Sequence, residues 1–249
     1  MTKPNPFADL KFEDFRARGA DPSLSRHEKV GFPDSYREGA EEEIFQDIVA
    51  KLPQLQQPGK NVLEIGPGCS KLPLMLVRLC RERGHQLMFV DSPEMLSHLP
   101  DEPHVRKLEG RFPDDTDVLE GWKGKADVIV AYSVIQYVFA EGRLWDFVDH
   151  CLALLADGGE MLYGDIPNAA MRKRFFSSAA GIRCHQEYTG TKEVPGAALV
   201  DVKPGQIDDD VVLALLSRVR AKGCHAWVVP QPVALPMGNR REDILIRKP

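Results

Sequence analysis

Asn61-Val62-Leu63-Glu64-Ile65-Gly66-Pro67-Gly68-Cys69-Ser70 is the stretch on which the fold turns. Its first five residues have the length and apolar content of a buried strand, and Gly66 to Ser70 break that run abruptly. The segment that follows, Leu72-Pro73-Leu74-Met75-Leu76-Val77 and onward to Arg83, reads as a helix. Pro73 falls in its first turn, where a missing N–H costs nothing, and Gly84 suits its C-cap. Strand, glycine turn and helix therefore occur in that order. Glycines at such a turn let a ligand approach the backbone closely, and open α/β sheets bind ligands at the carboxyl ends of their strands. Gly66 and Gly68 are the expected contact points.

The same alternation extends outward from this stretch. HQLMFVD (85–91) reads as a second buried strand, followed by SPEMLSHL (92–99), in which Ser92 can cap a helix that opens on Pro93. VRKLEG (105–110), ADVIVAYS (126–133) and EMLYGDI (160–166) read as three more strands, with the helix LWDFVDHCLALLADGG (144–159) between the last two. Upstream, EEEIFQDIVAKL (41–52) is an amphipathic helix with three glutamates at its favourable end. Downstream, DDDVVLALLSRVRAKG (208–223) is a helix whose aspartates are assigned to its N-terminal dipole. HAWVVPQ (225–231) and EDILIRK (242–248) then form a hairpin-like strand pair. The expected fold is α/β, a doubly wound and mostly parallel seven-stranded sheet ending in an antiparallel strand. Residues 1–40 are expected to form an arm covering the site, and 41–249 the main domain, with an irregular insertion at about 167–207 acting as a lid or mobile loop.

Composition narrows the function classes. The chain has 249 residues, 43% hydrophobic and 28% charged, and a net charge of −5, which offers no basic field for a nucleic-acid backbone. No apolar stretch approaches the roughly 18 residues a membrane span needs, and the N-terminus lacks a signal core. Five cysteines, Cys69, Cys80, Cys151, Cys184 and Cys224, include no CxxC pair, so neither a disulfide framework nor a metal site is expected. The expectation is a cytoplasmic protein, monomer or homodimer, acting on a small molecule.

A nicotinamide site would place a third glycine at position 71, where this chain has Lys71. What it has instead is an acidic residue two places before Gly66, Glu64, and another at the end of the next strand, Asp91. This resembles the E/D-x-G-x-G-x-G pattern of class I S-adenosylmethionine-dependent methyltransferases, with Ser70 in place of the last glycine. The resemblance implies S-adenosylmethionine as cofactor, and the physics agrees. That cofactor carries a sulfonium, an ammonium and a ribose diol but no pyrophosphate, so carboxylates suit it. By the resemblance Asp91 accepts from the ribose hydroxyls and Glu64 supports the glycine loop and the amino-acid end of the cofactor. Ser92 adjoins Asp91, Arg111 and Phe112 fall where adenine is held, and Tyr132, Ser133 and Gln136 lie beside the methionine moiety. A narrower resemblance runs through HEKVGFPDSYREG (27–39), EIGPGCSKLP (64–73), YGDIPN (163–168) and PQPVALPMGNRREDILIRKP (230–249). These are similar to a bacterial methyltransferase group associated with surface-polysaccharide and sugar biosynthesis, and imply an oxygen of a sugar or sugar phosphate as acceptor.

Methyl transfer is an in-line displacement at an activated carbon, so alignment is the main task and only an alcohol acceptor gains from a base. His27 in the arm and Asp165 at the end of the fifth strand are the candidate catalytic residues. Tyr36, Arg37 and Arg172 are the candidate substrate-binding residues, since arginine binds carboxylate or phosphate in bidentate fashion. Arg240, Arg241 and Glu242 are read as turn and surface pairing. The competing readings are a catalytically silent methyltransferase-like binding domain and, more distantly, a nicotinamide oxidoreductase.

Overall fold

The structure is a computed structural model, and it describes residues 10–114, 117–196 and 205–249, with the side chains of 117 and 118 excepted. Seven strands form one sheet: β1 (Asn61–Ile65), β2 (Gln86–Asp91), β3 (Val105–Glu109), β4 (Ala126–Tyr132), β5 (Leu155–Pro167), β6 (His225–Pro230) and β7 (Arg241–Arg247). Their order is β3-β2-β1-β4-β5-β7-β6. β1 to β5 pair in parallel, while β7 runs antiparallel to both β5 and β6. The chain winds outward from β1 to β3 and returns to β4 beside β1. That return creates the switch point at which a ligand crevice opens.

The strands are apolar on both faces because helices cover both. Leu63, Ile65, Met88, Val90, Ile129 and Ala131 pack to one side, while Val62, Leu87, Phe89, Val128 and Val130 pack to the other. The helices are α1 (Phe12–Ala20), α2 (Arg26–Lys29), α3 (Asp34–Arg37), α4 (Glu41–Lys51), α5 (Lys71–Arg83), α6 (Pro93–Leu96), α7 (Ile135–Ala140), α8 (Leu144–Leu154), α9 (Ala169–Phe176), α10 (Ala179–Thr189) and α11 (Asp209–Ala221). α5 ends on Gly84 in the left-handed region (φ 69°), as its sequence requires. Ser92 accepts from the Met95 N–H at 3.3 Å to cap α6, and Asp208 accepts from the Val211 N–H at 3.1 Å to cap α11.

Two expectations change. The segment after β5 is helical over α9 and α10, each opened by a side-chain cap, Asn168 to the Met171 N–H and Ser178 to the Gly181 N–H. α9 buries none of its residues, so no apolar stripe marks it in the sequence. Residues 197–204 of the expected insertion, and the first nine of the expected arm, lie outside the described residues. Arg241 is also no surface turn residue: its side chain is largely buried against Asp165.

Candidate active site

The glycine turn after β1 forms the floor of a cleft at the carboxyl ends of β1, β2 and β4, enclosing about 1090 Å³ with its open mouth included. Gly66 and Gly68 both have positive φ, 68° and 62°. A Cβ on Gly66 would come within 2.7 Å of Val134, and one on Gly68 within 2.5 Å of Val30, so side chains there would fill the cradle. Asp91 fixes the turn: its Oδ2 accepts the Gly68 N–H at 2.9 Å and its Oδ1 the Ser92 N–H at 2.7 Å. The loop support expected of Glu64 is thus supplied by Asp91, which still has lone pairs to offer a ligand.

Glu64 is placed for something else. It lines the cleft, is nearly sealed from solvent, and its Oε2 has no hydrogen-bond partner. Burial, and then the charge of Asp91, push its carboxyl up to about 8. Asp91 is itself pushed up to about 6, chiefly by burial and against the pull of its two backbone donors. Two buried carboxyls side by side, one with an orphaned oxygen, make a site that gains from a cation or a strong donor.

Phe112 lines the opposite wall, its ring edge-on to Phe147 at 5.1 Å, and Arg111 beside it pairs with Glu141. The arm closes the cleft over them. Phe12, Phe15, Val30, Phe32 and Arg37 all line it, and Phe15 packs edge-on against Tyr137 at 4.7 Å. Tyr132, Ser133 and Arg37 line its inner end, where Gln136 donates to the Ser133 carbonyl at 2.9 Å without itself lining the cleft.

That inner end is built on two strained residues. Ser133 (φ 61°), just after β4, and Asp165 (φ 60°), near the end of β5, lie in the left-handed region, and Ser133 Oγ donates to Asp165 Oδ2 at 2.5 Å. A break in register between Tyr163 and Ile166 frees Asp165 from the ladder, and its N–H goes to Asp243 Oδ1 at 2.8 Å. Such conformations persist only where surrounding bonds over-determine them. Here Arg37 donates to both Ser133 Oγ, at 2.7 Å, and Asp165, while Arg241 donates to Asp165 Oδ2 at 2.6 Å and to its carbonyl at 2.9 Å. The Arg37 guanidinium also stacks 3.9 Å from the Phe32 ring centroid. With two guanidiniums and a hydroxyl converging on Oδ2, Asp165 serves as an anchor for the arm.

His27 does not line the cleft. It is buried between two carboxylates, Nδ1 facing Asp34 at 3.0 Å and Nε2 facing Glu41 at 2.8 Å. Bonds to His27 hold both carboxyls below their ordinary range, with Ser25 the larger influence on Asp34 and the helix backbone on Glu41, whose burial opposes them. Both ring nitrogens are occupied, which suits a brace for the arm. Tyr36 and Arg172 also lie outside the cleft lining, Arg172 over the ring of Phe176 at 5.1 Å. The sequence reading missed the arm phenylalanines and Arg241. The phenylalanines carry a signal, since an otherwise polar arm has no core of its own to fill. Arg241 carries none, because its partner lies on another strand.

No protein-family model matches the chain, and no curated protein matches it in sequence. Solved structures do match in fold. The carbon methyltransferase CurJ superposes with TM-score 0.55 at 16% identity over 95% of this chain and 64% of the CurJ chain, so the present chain spans under two thirds of that neighbour. The plantazolicin methyltransferase BpumL, solved with SAH and a desmethylPZN analog, gives TM-score 0.58 at 11% identity over 95% of this chain and 98% of its own. The N-methyltransferase NodS from Bradyrhizobium japonicum WM9, in complex with S-adenosyl-L-homocysteine, gives 0.56 at 14% identity over 96% and 98%. The chain therefore has the Rossmann-like fold of class I S-adenosylmethionine-dependent methyltransferases.

Proposed function

We propose that this protein is an S-adenosylmethionine-dependent methyltransferase acting on a small acceptor. The observation that carries the reading is Glu64, a buried carboxyl with an orphaned oxygen beside Asp91 at the glycine turn. The cofactor's ammonium and sulfonium supply the positive charge this pair lacks, whereas the pyrophosphate of a nicotinamide cofactor would meet repulsion there. When bound, the cofactor supplies an electrophilic methyl carbon.

The residues divide the remaining work. Glu64 holds the amino-acid end, and Asp91, flanked by Ser92, accepts from the ribose hydroxyls. Arg111 and Phe112 form the adenine wall, and Tyr132, Ser133 and Gln136 shape the methionine end. Phe12, Phe15 and Phe32 exclude water once the arm, residues 1–40, is closed on the domain formed by 41–249. Arg37 and Tyr36 lie where that arm meets the acceptor side. The acceptor is drawn from the class the narrower resemblance supports, an oxygen of a sugar or sugar phosphate in surface-polysaccharide biosynthesis in the cytoplasm. His27 and Asp165 are both held by other side chains, which leaves neither free to act as a base and favours, within that class, an oxygen already anionic at neutral pH. The same commitment keeps a silent binding domain as the second reading.

Calorimetric titration with S-adenosylmethionine and S-adenosylhomocysteine tests the assignment. Saturable binding to the wild type, lost or weakened at least about tenfold in Asp91→Ala, is the expected result. A folded wild type that binds neither compound refutes the cofactor reading, and binding with no turnover across an acceptor panel favours the silent domain.

A further inference from the structure

Arg240 and Arg172 differ from most of the arginines around the cleft. Arg37, Arg241, Arg111 and Arg143 each hold a carboxylate, and Arg174, on the same helix as Arg172, holds Asp209 at 2.5 Å. Arg240 donates to the side-chain oxygen of neighbouring Asn239 at 3.3 Å, and no carboxylate among the described residues lies within ion-pair distance of it or of Arg172. Both guanidiniums instead rest on one ring, Phe176, at 5.1 Å for Arg172 and 5.6 Å for Arg240. Arg240 is half-buried, so its charge is held in a poorly solvated place beside two like charges, Arg172 and Arg241. Two guanidiniums without a carboxylate partner among the described residues, one of them half-buried, form a place that gains from an anion.

The place of this pair in the fold supplies the second argument. β7 runs antiparallel to β5, with Arg241 opposite Pro167, so the start of β7 sits at the sheet edge that carries the cleft. Arg241 reaches from there to Asp165 and lies 5.4 Å from the ring of Phe32, which lines the cleft. Arg240 is the next residue outward. Tyr36 of the arm lies near enough to Arg240 and to the exposed Tyr188 of α10 to interact electrostatically with both.

We infer that Arg172 and Arg240, over Phe176, form an anion-binding subsite that holds a carboxylate or phosphate of the methyl acceptor at the outer edge of the cofactor cleft. The inference rests on the methyltransferase reading for the identity of its ligand, and for its existence on two guanidiniums that share one ring and have no carboxylate partner among the described residues. It assigns the acceptor a net negative charge and gives Arg240 a role in specificity.

The test uses inorganic phosphate and benzoate as probes, with benzamide as the neutral control, on full-length protein with and without saturating S-adenosylhomocysteine. The guanidinium Nε–H signals of 15N-arginine-labelled protein report binding at individual arginines. Saturable movement of two arginine signals with either anion, weakened about tenfold or more in both Arg172→Gln and Arg240→Gln, unchanged in Arg174→Gln and absent with benzamide, is the expected result. Phosphate without benzoate, or the reverse, identifies which anion the subsite is shaped for. Arg172 is exposed, so its variant keeps the test valid if Arg240→Gln fails to fold. Anions that move no arginine signal, or shifts indifferent to Arg172→Gln, overturn the inference. Calorimetry of S-adenosylhomocysteine in the same samples separates the two claims, because anion binding without cofactor binding removes the methyltransferase reading and leaves the subsite.

Discussion

Replacing Glu64 with glutamine isolates the contribution of one carboxyl to cofactor binding. In the free protein this carboxyl titrates at about 8, held up by burial and by Asp91, so at pH 7 it is about 90% protonated. A cation placed against it lowers its pKa by about 1 to 3 units, which expels about 0.4 to 0.9 proton per bound cofactor at pH 7. Cofactor affinity then rises with pH from about 7 to 8 for the smallest such change and from about 5 to 8 for the largest, by roughly 10-fold to 1000-fold over the whole transition, and levels off above it. Glu64→Gln is expected to bind more weakly at pH 8 and to lose the proton release and the slope together. Stability moves the other way. A carboxyl whose pKa is raised on folding, from 4.5 to about 8, contributes stability that is complete below 4.5 and is lost as pH climbs through 8. The ceiling on that loss is about 5 kcal/mol, reduced by whatever water enters the cleft. Glu64→Gln without ligand is therefore expected to be more stable than wild type at pH 8 and similar at pH 5. Titrations at pH 7 in PIPES and in imidazole, which differ in ionisation heat, count the protons directly. Equal heats in the two buffers for the wild type, or an undiminished pH slope in the variant, would refute the reasoning.

Two further substitutions test the arm and the turn. Gly68→Ala places a Cβ 2.5 Å from Val30 at a positive φ, so thermal stability is expected to fall by about 1–2 kcal/mol and cofactor affinity by at least about tenfold. Adding Val30→Ala should restore part of the affinity and none of the backbone cost, and full recovery of both in the double variant would count against the strain. His27→Leu takes a hydrogen bond from buried Glu41 and from Asp34, which keep the Gly39 N–H and Ser25 respectively as donors, and is expected to cost about 1–3 kcal/mol in urea unfolding and to speed tryptic cleavage at Lys29, while His27→Gln, which keeps one hydrogen bond, stays closer to wild type. Unchanged proteolysis in His27→Leu would remove the bracing role.

The sheet and the glycine-turn end of the cleft are legible in the sequence because local rules dictate them. Val62 to Ile65, Leu87 to Val90 and Val128 to Ala131 are buried on both faces, so their apolar runs are nearly continuous, and the glycine turn with Glu64 and Asp91 sits at strand ends that those runs define. The Asp165 end is not legible for the complementary reason. Arg37 and Arg241 meet at Asp165 from opposite ends of the chain, and no spacing in the sequence announces a contact made through an antiparallel strand. His27 suggests a base in the sequence because histidine is the residue that titrates near neutrality, but the carboxylates at both its nitrogens depend on how α3 and α4 fold back beside it. α9 is hidden because its contacts are polar caps and ring stacking rather than a buried stripe.

The direction of β7 ties these elements together. Had the last strand entered the sheet parallel to β5, Arg240 and Arg241 would lie at the far edge, and Asp165 would keep Arg37 as its one guanidinium partner. Run antiparallel, β7 delivers two consecutive arginines to the edge where β1, β4 and β5 end. The first rests over Phe176 with no carboxylate among the described residues in ion-pair distance, and the second locks a strained carboxylate that in turn holds the arm over the cleft. A buried anion with two cationic partners keeps the arm anchored when one partner moves, whereas a single pair would leave an uncompensated charge. The same strand reversal that closes the sheet therefore couples the arm over the cofactor cleft to the arginines proposed to read the acceptor.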